Sequence, residues 1–141
     1  HLSLRRQRQM CIRDRWNSAT NSLFLTGYVQ TGQRVESALT KFATNLSPTW
    51  TFRFASTGAT IAALGPSGTH FAVFASKSAV KGVSNWKPSR PTPLLLTFNS
   101  KGALTAANSA TGVPIALGYS KDLGVVLMTS SQTAVSIFRL T

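Results

Sequence analysis

The order of short strand-like runs between residues 59 and 109 constrains this chain more than any other feature. ATIAAL at 59–64 is short and apolar, and GPSGT at 65–69 is a tight turn in which Pro66 and the flanking glycines supply the backbone angles. HFAVFAS at 70–76 is almost wholly apolar, and a long polar loop over 77–92 follows it. PLLLTFN at 93–99, a second tight turn SKG, and the weaker run ALTAANS at 103–109 complete the unit. β-branched and aromatic residues fill the runs, turn residues bound them, and no period of 3.6 is sustained. The chain is therefore expected to be all-β and built from hairpins.

The flanks repeat this order. Upstream, SLFLTGYV at 22–29 matches the second strand, SALTKFA at 37–43 the third, and TWTFRFA at 49–55 the fourth. Downstream, VPIALGY at 113–119 matches the first, VVLMTS at 125–130 the second, and AVSIFRL at 134–140 the third. Thr26, Ala75 and Thr129 align in the second strands, giving a period of about 50 residues, within the range of propeller repeats. Composition inside the units agrees. The second strands are apolar on both faces, as a sheet between two others requires. TWTFRF alternates, with Trp50, Phe52 and Phe54 on one side and Thr51 and Arg53 on the other, as a half-exposed outer strand does. The fold expected is an incomplete β-propeller of about two and a half four-stranded antiparallel blades. It divides into a partial blade of three strands over 16–58, a complete blade over 59–110, and a partial blade of three strands over 111–141. A β-sandwich is the alternative, because it also places short strands at similar spacing.

The first unit resembles the bacterial β-propeller repeat known as SBBP. The matching residues are Leu25, Thr26 and Gly27, then Ala38, Leu39, Lys41 and Phe42, then Trp50. The match is looser in the later units, where Gly27 becomes Ser76 and Ser130 and Lys41 becomes Thr97 and Arg139. The acidic residues usual in the family's turns are missing, so no calcium site is carried over. The resemblance implies a closed ring of blades of which this chain is a fragment, within an extracellular or cell-surface protein.

Residues 5–15, RRQRQMCIRDR, back-translate without forcing to an adapter and transposase-recognition sequence used in preparing DNA libraries. Residues 1–15 are accordingly read as a non-native, disordered segment and set aside from fold reasoning. They hold five of the 15 basic residues, one of the 3 acidic residues and the single cysteine. The chain's formal net charge of +12 falls without them but stays clearly basic, a balance that permits attraction to polyanions. Without Cys11 no disulfide or thiolate site is possible. No run reaches the ~20 apolar residues of a membrane-spanning helix.

The catalytic inventory is thin. Beyond residue 15 the acids are Glu36 and Asp122, in different units. Glu36 is read as solvent-facing and Asp122 as a turn residue. His70 opens an apolar strand and is expected to be a hydrogen-bonded strand-end histidine rather than a general base, because no acid is placed to orient it. No catalytic residue, metal site or cofactor is expected. One segment stands out: the loop SKSAVKGVSNWKPSRPTP, which sets Lys77, Lys81, Lys87 and Arg90 around Trp86 and ends in three prolines. Cations interleaved with an aromatic suit a polyanion or an acidic protein surface, and loops on rigid scaffolds are where binding evolves. The alternative is an exposed loop whose tryptophan folds back onto the sheet. The function expected is a non-catalytic binding scaffold for a protein or glycan ligand, its other partners being further blades of the same polypeptide. Nucleic acid is disfavoured as a ligand. The alternatives are a wall segment of a propeller hydrolase or lyase with its catalytic residues in other blades, and a polyanion binder acting through the 77–92 loop.

Overall fold

The computed structural model describes residues 13–17, 21–31, 33–55 and 60–140. It contains strands β1 (Arg13–Asn17), β2 (Ser22–Thr31), β3 (Arg34–Phe42), β4 (Pro48–Ala55), β5 (Ile61–Leu64), β6 (His70–Ser76), β7 (Thr92–Phe98), β8 (Leu104–Ser109), β9 (Val113–Ser120), β10 (Gly124–Ser130) and β11 (Val135–Leu140). They form three antiparallel meanders, β1-β2-β3-β4, β5-β6-β7-β8 and β9-β10-β11, and none closes on itself. All ten runs read from the sequence are strands, with bounds within a few residues.

The three sheets are stacked, and two separate apolar interiors lie between them. Leu39 and Phe54 of the first sheet pack with Ala72, Phe74, Leu94, Leu96 and Phe98 of the second. Phe71, Val73 and Leu95, the alternate residues of β6 and β7, pack with Leu117, Val125 and Leu127 of the third. The middle sheet is thus covered on both sides, which is why HFAVFAS and PLLLTF carry almost no polar residue: a strand with two buried faces loses the alternation of a half-exposed one. Each such Phe or Leu contributes about 1.5–3 kcal/mol on burial. β4 shows the other pattern. Phe54 stacks on Phe74 with ring centroids 3.7 Å apart, and Phe52 meets Phe98 edge-on at 5.0 Å. Thr51 and Arg53, which alternate with them, are exposed. The backbones of neighbouring sheets come closest at their first strands, β1 to β5 and β5 to β9. Farther out, the aromatic side chains of β4 span the gap.

Three details differ from the sequence reading. First, the meander containing 16–58 has a fourth strand. Arg13–Asn17 pairs with Ser22–Thr26 of β2, so Arg13–Arg15 lie in a strand although they belong to the segment set aside as adapter-derived and disordered. Backbone pairing requires no particular side chain, and the free edge of β2 offers a template for it. The rest of the segment, residues 1–12, lies outside the described residues. Second, β7 begins at Thr92, so the long loop is 77–91. Third, the alignment of Thr129 with Thr26 and Ala75 slips by one residue. Thr26 pairs with Leu39 and faces the second sheet, and Ala75, in step with Val73, faces the third. Thr129 alternates with Leu127 and Val125 and so faces back toward the second sheet. A one-residue slip reverses the face.

Candidate functional site

The 77–91 loop is tied to the sheets at both ends and in the middle. At its start the Ser76 hydroxyl accepts from the Ser78 N–H at 3.1 Å and donates to the Ser78 carbonyl at 3.2 Å. At its end the Thr92 hydroxyl donates to the Arg90 carbonyl at 3.0 Å. In between, the Val83 N–H donates to the Val80 carbonyl at 3.0 Å, closing a tight turn in which Gly82 takes φ +85°. Only glycine adopts that angle without strain. Val80 is buried in the interior between the first two sheets, and Val83 and Trp86 pack against the same interior beside Trp50, Phe52 and Leu104. The three apolar residues spaced along the loop are its anchors.

The five sequence-predicted site residues therefore separate. Trp86 is half-buried against the core, with its indole Nε1 buried and without a partner among the described residues. Lys77, Lys81, Lys87 and Arg90 are exposed. The loop presents cations outward and uses its aromatic inward. Gly82, Val83 and Ser84 face Leu104, Thr105, Ala106 and Ala107 of β8 across an open groove of about 310 Å³.

A second constellation, not anticipated as a unit, lies between the first two sheets. His70 is 1% exposed at the start of β6. Its ring lies 3.8 Å from that of Phe24, centroid to centroid, and 5.8 Å from that of Trp50. Trp50 in turn lies 6.0 Å from Phe98 and presses on the β7–β8 turn, where a Cβ on Gly102 would come within 2.7 Å of the indole. Among the described residues neither nitrogen of His70 makes a well-formed hydrogen bond, and the indole Nε1 of Trp50 has no partner. The expected strand-end hydrogen bond is reduced to a weak interaction with the Asn99 backbone, because aromatic rings crowd the imidazole. Burial among those rings holds the pKa of His70 down at about 4, with the Lys41 ammonium lowering it further. The Asn99 backbone favours the charged form more weakly. Lys41 itself donates to the Ser100 carbonyl at 3.2 Å and stands 5.8 Å from the Phe24 centroid. No local signal foretells this grouping, since its members come from five strands and a turn. His70 is thus a neutral imidazole packed among aromatics, with no carboxylate partner among the described residues.

Glu36 and Asp122 are both exposed, the latter in the β9–β10 turn. Among the described residues no three His, Cys, Asp or Glu side chains come together as a metal site, and no helix is long and apolar enough to cross a membrane. The chain matches no family model, no curated protein and no solved structure.

Proposed function

We propose that this chain is a non-catalytic binding scaffold of propeller type, one arc of a larger ring of blades, with the 77–91 loop as a docking element. Three features favour blades over a sandwich. A sandwich has one shared interior, whereas here a middle sheet is covered on both faces. Neighbouring sheets approach most closely at their first strands, as blades do around an axis. The face of the third sheet turned away from the second carries Val135 and Ile137, the latter 65% exposed, where a further sheet of the same polypeptide would continue the stack.

The observation that carries the binding reading is the anchored loop. Val80, Val83 and Trp86 hold it against the core while Lys77, Lys81, Lys87 and Arg90 stay exposed, so cations are displayed at little conformational cost on binding. The test uses the full chain and a fluorescent heparin oligosaccharide as a polyanion probe. Replacing Lys81, Lys87 and Arg90 together by Gln is expected to weaken binding about tenfold at low salt, with a shallower salt dependence. The arginines of residues 5–15 are common to both proteins and cancel in the comparison. Equal affinities and equal salt slopes would remove the loop from the function.

A further inference from the structure

Three strands end their sheets on the outer side, and they are not equally protected. β4 carries Pro48 and Arg53, and β11 carries Arg139. β8, Leu104-Thr105-Ala106-Ala107-Asn108-Ser109, carries neither a charge nor a proline. Charges and prolines are the usual means of keeping an edge strand from pairing with another chain. The one device on β8 is a register irregularity opposite Thr97 and Phe98, which leaves the stretch from Ala106 to Ser109 regular. These residues are exposed, and the small side chains of Ala106 and Ala107 do not obstruct an approaching backbone.

The hydrogen-bond pattern shows which groups are free to pair. The Ala110 N–H donates to the Pro93 carbonyl at 3.0 Å. Asn108 opposite Leu95 and Ala106 opposite Thr97 follow in the same register. Alternation in an antiparallel ladder then turns the N–H and C=O of Ala107 and Ser109 away from β7. Beside this edge lies the groove whose other wall is Gly82–Val83–Ser84 of the docking loop. Lys81 adjoins that wall, Lys101 stands exposed in the turn leading into β8, and Lys87 and Arg90 are exposed farther along the loop. Neither Glu36 nor Asp122 belongs to the loop, to β8 or to the turn before it.

We propose that the free edge of β8 and the cationic loop beside it accept an acidic peptide in extended conformation, which pairs with Ala107 and Ser109 as a fifth strand of the middle sheet. Main-chain pairing supplies affinity and the lysines select for carboxylates, the division of labour of strand-addition recognition. The proposal rests on the loop being the docking element.

The probe is a short fluorescein-labelled peptide alternating Glu and Thr, titrated against the full chain by anisotropy. A second version carries Gln for Glu, and a third is N-methylated at every amide so that neither edge can donate to β8. The acidic peptide is expected to bind about tenfold or more tightly than either of the others, since each version lacks one of the two contributions. The Ala107→Pro variant, which removes an outward N–H and leaves the bonds to β7 intact, is expected to weaken the acidic peptide similarly without changing heparin binding. If that variant does not fold, the N-methylated peptide carries the same test on the unaltered protein. Equal binding of the methylated and unmethylated acidic peptides overturns the edge pairing. If the Lys81/Lys87/Arg90→Gln variant still weakens heparin in that case, the loop reading survives alone; if it does not, both fall. No binding of the acidic peptide also overturns the proposal.

Discussion

Protonating His70 in place would set a positive charge between the rings of Phe24 and Trp50, with the Lys41 ammonium nearby and a weak acceptor in the Asn99 backbone as its compensation. The unfolded chain has no such difficulty. There the imidazole titrates near 6.5, whereas in the folded protein it titrates at about 4. Between those values the unfolded state binds more protons than the folded state, so stability falls as pH falls. Above pH 6.5 both states are neutral at this site and nothing is lost; below pH 4 both are charged and the loss is complete. The gap corresponds to about 3 kcal/mol, a large fraction of a typical domain's stability. For a chain of this size it would lower the melting temperature by about 10 °C. The assay is urea unfolding of the full chain at pH 7, 5.5 and 4, beside the His70→Leu variant. The variant's stability at pH 7 is not the readout. The readout is the change between pH 7 and pH 4, which His70→Leu should reduce by about 3 kcal/mol. Equal changes in the two proteins would mean that His70 finds solvent or a stronger acceptor than the Asn99 backbone when charged, and the burial argument would fail.

Other outcomes follow from particular contacts. Gly102→Ala should destabilise the protein by about 2 kcal/mol or more, because the position has φ +81° and the added Cβ meets the Trp50 indole; thermal unfolding reads this directly. Trp86→Ala should speed proteolytic cleavage within 77–91 several-fold while Lys87→Ala does not, since Trp86 anchors the loop and Lys87 is exposed. Replacing Val135 and Ile137 together by Lys should suppress concentration-dependent self-association in analytical ultracentrifugation, because those side chains are exposed on an uncovered sheet face. Unchanged sedimentation would show that this face does not drive association.

The strands were legible because their signals are local. HFAVFAS between two turn clusters, and the alternation of TWTFRF, state both the strand and which of its faces is covered. The turn at 65–69 was equally plain: Ser67 and Gly68 both take positive φ there, and the Gly65 N–H closes on the Thr69 carbonyl. The loop's division of labour was legible as a choice between two roles for Trp86, and packing decides it through Val80 and Val83. What escaped is non-local. β1 forms by backbone pairing to an edge, which leaves no mark in side-chain pattern. Thr129 looks like Thr26 in its immediate neighbours, yet it alternates with Leu127 and Val125 and so faces the opposite way. His70 reads as a polar strand end until Phe24 and Trp50, brought from other strands, close around it.

The two-sided character of the middle sheet also bears on the order of assembly. A hairpin of β6 and β7 has no side it can show to water, so any intermediate holding it bare is a plate that adheres on both surfaces. Its neighbours must arrive as it forms, and the amides of β6 and β7 should exchange with deuterium only when the whole chain opens.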